Sequence, residues 1–339
     1  MKFFKNFPLF FCLIFITMML FFPTVGKNAT ANAVLLCGKV IIPSLFPFSV
    51  CALYLTKSNF GSILKRFSKQ KGEIIFTVLL SMLGGYPIGA RLVKELYSKG
   101  KLTKENSQRL VCCCVNAGPA FIIIAVGNGI FNNQKIGYIL FISHILASLI
   151  PILLTLPFLK TENTTKISVY EDQPFVSAAA DASAAKISIC AFVIFFSTLN
   201  AYINLFANDF EILNDISSLT EVTNGIINGK NVYKTSFLLG FGGFSVWFQI
   251  FASCKDTGIK IKQFVIFRIL HGSLSTVFTY IAIKIFKPYT PTVSNHRFFN
   301  AQGHYSGIAV SVSLFIMLIL LILTLFTKNR GRKILDDLI

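Results

Sequence analysis

Two pairs of glycines, each set inside an apolar run, are the residues whose type and spacing could do chemistry. They are Gly84 and Gly85 in LLSMLGGYPIGARLV, and Gly242 and Gly243 in SFLLGFGGFSVWFQIF. With Pro87 and Gly89 after the first pair, and Asn116, Gly118 and Pro119 in the nearby VNAGPAF, they predict helices broken at membrane depth. Lipid offers no partner to the backbone groups a break releases, so breaks are tolerated only where protein or a wet cavity covers them. A broken helix also presents N-terminal N–H groups, which favour anions. Tyr86, Phe244 and Trp247 stand beside the breaks, where their rings could stack on a flat solute.

Basic groups occur in or near the apolar runs (Lys39, Arg91, His144, Arg268, His271), whereas the acids lie outside the continuous ones. Ionisable residues within a membrane are functional candidates by default. For Lys39 and Arg268, close to run ends, snorkelling to the interface is the rival reading. For Arg91 the rival is a rim position, and His144 reads as a packed core residue. The missing carboxylates leave no proton relay in the spans. No Ser/His/Asp set or metal-ligand cluster is present, so an enzyme, a metal and a cofactor are all unexpected. The eight cysteines show no CxxC pairing and read as small apolar filler. Cations together with broken-helix N-termini indicate a small anionic solute. Glu221 in LTEVTNG, with Thr223 and Asn224, is a polar partner for solute or cation, or else the N-terminal carboxylate of an interfacial helix. Ser245 and Gln249, just past the second break, complete the candidate set.

The elements that must position these residues follow from composition. The chain is 54% hydrophobic and 14% charged, with mean hydropathy +0.67, against about 25% charged in soluble domains. It is therefore all-α and polytopic in the lipid bilayer. The net charge of +18 fits lysines in loops obeying the positive-inside rule and calls for no nucleic acid. About seven spans are expected: 8–25 as a retained anchor, 33–55 kinked by Pro43 and Pro47, 110–131, 136–158, 187–207, 263–285 and 306–326. Phe60, Ile63, Leu64 and Phe67, among Lys57, Lys65, Arg66, Lys69 and Lys71, predict an interfacial amphipathic helix. Segments 74–97 and 233–254 are expected as two re-entrant helical hairpins. For the first, basic connectors on both sides would otherwise lie on opposite faces.

At one constant offset Gly84 meets Gly242, Gly85 meets Gly243, Tyr86 meets Phe244, Gly100 meets Gly258 and Lys104 meets Lys262. Each half then reads span, interfacial helix, hairpin, span, span. The expected organisation is an anchor and loop over 1–32, a first repeat over 33–158, a polar connector over 159–186, a second repeat over 187–327 and a basic tail over 328–339. An odd number of spans between the hairpins inverts the second half, the common plan of secondary transporters.

IIPSLFPF, LGGYPIGARL with its basic connector, VNAGPAFI and VGNGIF resemble the sporulation integral membrane proteins of YlbJ/SpoVV type. LTEVTNGI and GFGGFSVWFQ resemble that family's second-half motifs, and the resemblance covers roughly 33–286. The family belongs to the nucleoside-recognition, or Gate, group, similar in plan to concentrative nucleoside transporters. The resemblance implies a transporter of dipicolinic acid, a planar aromatic dianion, acting across the outer forespore membrane. It carries over to Gly84, Gly85, Tyr86, Pro87, Gly89, Asn116, Gly118, Pro119, Glu221, Thr223, Asn224, Gly242 and Gly243. The alternatives are a carrier of nucleosides or other small solutes, and a non-transporting sporulation assembly protein. The plan allows a coupling ion of unknown identity and a homo-oligomer.

Overall fold

A computed structural model describes residues 2–58, 72–155, 158, 173–206, 211–229, 231–255 and 257–288, and these are helical with no strand among them. The expected interfacial helix at 60–71, the span at 306–326 and the basic tail fall outside the described residues. Leu79, Ile124, Ile142, Leu153, Phe248 and Ile281 are among many large apolar side chains left exposed, as contact with lipid requires.

Helices α1 (Lys2–Phe21) and α2 (Pro23–Leu36) meet at a bend of 102°, so the expected anchor over 8–25 does not run straight. After α2 a π-helical turn, Cys37–Ile41, leads into α3 (Ile42–Lys57). Pro43 lacks an N–H and would clash with a preceding carbonyl, and widening the turn before it relieves both faults. Helix α8 (Pro174–Leu205) runs antiparallel to this pair. Thr30 Oγ1 lies 2.9 Å from Thr198 Oγ1 at one end, and Lys57 Nζ lies 3.0 Å from Asp181 Oδ2 at the other. The Lys57 end is called the basic face below.

Helix α4 (Gly72–Gly84) has 13 residues, about 20 Å at 1.5 Å per residue, too short for a core of about 30 Å. A Cβ built on Gly89, in α5 (Ile88–Ser98), would lie 2.7 Å from Ser81 Cβ, so the chain folds back at the GGYP tip. Lys101 Nζ meets Glu73 Oε2 at 2.5 Å, so the segment begins and ends at the basic face. The segment folds back on itself, as a hairpin does.

Two expectations are corrected. The run 110–131 was taken as continuous, but α6 (Lys104–Cys113) stops before NAGP and a π-helix, Ala120–Ile130, completes it. Proline without an N–H and Gly118 pressed against Gly85 prevent a regular helix there. The second glycine break is not a hairpin either. Helices α11 (Val232–Phe241) and α12 (Gly243–Ser253) join at Gly242 into a 22-residue stretch long enough to cross. Lys234 pairs with Asp215 at one end of it, while past the other end Thr257 O accepts from Gln108 Nε2 at 3.3 Å.

The segment that does fold back in the second half is α9 (Glu211–Thr220) with α10 (Val222–Gly229), where an interfacial helix was expected. A Cβ on Gly225 would collide with the Ser218 carbonyl seven residues earlier. Its tip, at Glu221, is buried. Long helices α7 (Gln134–Thr155) and α13 (Ile261–Phe286) support the two broken crossings. Four described helices are long and apolar enough to span, or up to five with the bent α1–α2 pair. The protein is thus all-α and polytopic.

Candidate functional site

A helix ends with four carbonyls lacking intrahelical partners. At the end of α6, Leu110 and Val111 accept from Cys114 N, Cys112 accepts from Arg268 Nη2 at 2.7 Å, and Cys113 accepts from Asn116 Nδ2 at 3.4 Å. At the end of α11, Leu238 accepts from Gly242 N and Leu239 from the Tyr86 hydroxyl. Gly240 accepts from Arg268 Nη1 at 3.2 Å, and Phe241 from Trp247 Nε1 at 2.8 Å. Every end carbonyl of both breaks therefore has a donor. Arg268, 1% exposed, also donates to Val115 O, so it ties the two broken crossings together. It neither snorkels nor offers Nη1 or Nη2 to a solute.

The histidines form a layer behind the first break. Ala117 N donates to His144 Nε2 at 3.0 Å, His271 Nε2 lies 3.0 Å from His144 O, and the ring centroids are 4.4 Å apart. His271 is fully buried there, away from the cavity described next.

Between the two tips lies a cavity of about 50 Å³. Gly85 and Tyr86 from the first tip, Gly118 from the NAGP break, Glu221 and Thr223 from the second tip and Gln249 from α12 wall it. Ile41, Leu45, Ile189 and Val193 close its apolar side. Gly85, at φ +73°, and Gly118 stack backbone on backbone; a Cβ on Gly85 would lie 3.0 Å from Gly118 N, so neither position has room for a side chain. At about 30 Å³ per water, the space admits one or two waters. It is a narrow cleft rather than a sealed chamber.

Short helices α5, the π-helix, α10 and α12 all begin at this cavity's walls or next to them. At α10 the Glu221 carboxylate accepts from Asn224 N at 2.7 Å, which is the N-terminal carboxylate reading of that residue. Asn224 Nδ2 donates to Ser197 Oγ at 3.0 Å and faces a second, larger cavity of about 410 Å³. Five asparagines, Asn28, Asn32, Asn200, Asn204 and Asn224, line that space, away from the basic face.

The structure thus brings together Gly85, Tyr86, Gly118, Glu221, Thr223 and Gln249. Gly84 lies against Ile88, and Pro87 and Pro119 precede the helices that start at the breaks. Gly89 packs on the Cys114 carbonyl, and Asn116 Nδ2 reaches Ser81 Oγ behind the tip. Gly242 and Gly243 adopt positive φ, the latter against Val222, and Ser245 Oγ accepts from Gln249 Nε2 at 3.3 Å. Phe244 joins Phe241 and Trp247 in an aromatic cluster. Arg91 does not reach the cavity; its Nη1 donates to Asp181 O at 2.8 Å near the basic face. Sequence reasoning expected a span at 187–207 but missed that the helix begins at Pro174, within the expected connector, and carries a lining stripe. Residues 182, 186, 189, 193, 197, 200 and 204 recur at three- and four-residue spacing and are all buried, or line a cavity, on one face.

Compared with known proteins, the chain is similar end to end to the sporulation integral membrane protein YlbJ of Bacillus subtilis (strain 168). The two are 23% identical over 385 aligned positions, covering 92% of this chain and 93% of that protein. The likeness supports the YlbJ-type resemblance read from the motifs. No family model matches the chain, and no solved structure does.

Proposed function

We propose that the chain is a sporulation membrane transporter that moves dipicolinic acid across the outer forespore membrane by alternating access. The observation that carries this reading is the narrow cavity held between two folded-back tips whose bases lie at opposite ends of the helix stack. In this reading the halves are inverted repeats, paired differently from the glycine alignment. The α2–α3 unit pairs with α8, the α4–α5 hairpin with α9–α10, the α6 crossing with α11–α12, and α7 with α13. Solute enters when one tip withdraws and leaves when the other does. Tyr86 and Phe121, both on the cavity wall, supply flat faces for a planar ring.

A nucleoside carrier is the second reading, favoured by Glu221, Thr223 and Gln249 at the cavity, which suit hydroxyl and base-edge hydrogen bonds. Proteoliposomes containing the protein separate the two. Labelled dipicolinate should exchange faster than in empty vesicles and resist competition by uridine or adenosine. Absence of dipicolinate flux in both directions would sink the first reading, and nucleoside flux would establish the second.

A further inference from the structure

Lys186 lies within α8 with no part of its side chain exposed (0%), and its Nζ has no hydrogen-bond partner among the described residues. Its charged neighbour is Arg91 on α5, whose Nε is also buried without a partner. The nearby acid is Asp181, whose carboxylate pairs with Lys57 Nζ at 3.0 Å. Lys57, Arg91 and Lys186 set three basic side chains against one acid, Asp181, at this contact between α5 and α8. An unpaired buried ammonium costs several kcal/mol, and a like charge beside it adds to that cost. Arg91 reaches α8 at the Asp181 carbonyl, about a turn and a half before Lys186. The two unsatisfied donors therefore belong to one contact between α5 and α8, where a bound anion would satisfy them.

The position is as informative as the charge. Lys186 precedes Ile189 by about one helical turn, and Ile189 walls the cavity between the tips. On the other side of Val193 the same stripe of α8 continues as Ser197, Asn200 and Asn204, which line the asparagine cavity. One face of α8 therefore runs from a vestibule lined by amides and by Lys39 of the π-helical turn, through the constriction, to a cationic end near the basic face. The cavity itself holds a carboxylate, Glu221, and no free cation. The charge that an anionic solute needs lies one turn away.

We propose that Lys186 and Arg91 form a binding station for a small dicarboxylate anion at the basic-face end of the α8 stripe. The station deepens the transport reading and, for its choice of solute, rests on it. A dianion matches the excess charge, and a carboxylate accepts from both Lys186 Nζ and Arg91 Nε.

The test uses the full chain in lipid nanodiscs, with dipicolinate, chloride and inorganic phosphate as probes of binding and thermal stability. Dipicolinate should bind wild type and raise its Tm. Lys186→Met should be at least as stable without anion, because it removes an unpaired buried charge, yet bind dipicolinate at least tenfold more weakly. Lys186→Arg should keep most of the affinity, and Arg91→Gln should lose a similar factor, which reads the station even if Lys186→Met does not fold. If wild-type vesicles move dipicolinate but both neutralising variants bind it unchanged, the station is wrong and transport stands. If dipicolinate neither binds nor moves while phosphate or chloride stabilises the protein only with Lys186 present, the station stands and the dipicolinate reading falls. No stabilisation of wild type by any of the three anions overturns the station.

Discussion

At the scale of single residues, the governing fact is that backbone groups released in lipid must find donors or acceptors within the protein. Arg268 does this for two helices at once, because a planar guanidinium presents several donors in a fixed fork. Arg268→Met would leave Cys112, Val115 and Gly240 without their donor, at about 1–3 kcal/mol for each carbonyl. A loss of at least ~3 kcal/mol is therefore expected, read as a lowered Tm in detergent. Arg268→Lys should recover little, because one ammonium cannot span carbonyls on both crossings. An unchanged Tm in Arg268→Met would show that water or lipid headgroups reach these carbonyls. Tyr86 acts in the same way on Leu239, so Tyr86→Phe should cost about 1 kcal/mol without loss of the aromatic face. From sequence, Arg268 was visible as an intramembrane cation, but its carbonyl partners were not. Those partners lie more than 150 residues away for Cys112 and Val115, and nothing local marks such a contact.

At the scale of elements, the two glycine breaks have similar letters and different outcomes. GGYPIGA reverses the chain, because Gly89 lets α5 lie against Ser81 and the Cys114 carbonyl. GFGGFS only bends a crossing, because positive φ at Gly242 and Gly243 is followed directly by the next helix. Gly89→Val should abolish packing of the first hairpin, with loss of folded protein on size exclusion. Gly242→Ala has open space around its Cβ, 3.6 Å from Val246. It should cost only the left-handed backbone strain, about 1–2 kcal/mol. Equal damage from both substitutions would mean that the two breaks are built alike. The real second hairpin, around Glu221, was read as interfacial because the register set by the paired glycines laid the first half's amphipathic helix over it. Its polar residues face a cavity and a cap rather than water.

At the scale of the molecule, opposite entry of the two tips predicts opposite labelling. In a background without the native cysteines, Lys99→Cys should react only from the basic face and Asp215→Cys only from the other. Impermeant maleimide added to sealed, oriented vesicles reads this directly. Reaction of both from one face would end the alternating-access reading while leaving the fold of each half intact.

The sequence by itself determined the solvent and the breakpoints. Hydropathy required a helical membrane protein, and glycine, proline and the NAGP motif fixed where its helices fail, because those properties are local. Composition even marked the first hairpin, through basic connectors at both ends. Tertiary structure decided which break folds back, which passes through, and what satisfies the exposed carbonyls. It also decided that α8, unremarkable in its letters, brings Lys186 within a turn of the cavity between the tips. Whether a broken helix turns or continues depends on the neighbours that meet its released backbone groups, and the decisive ones, Arg268 for α6 and Tyr86 for α11, come from far along the chain.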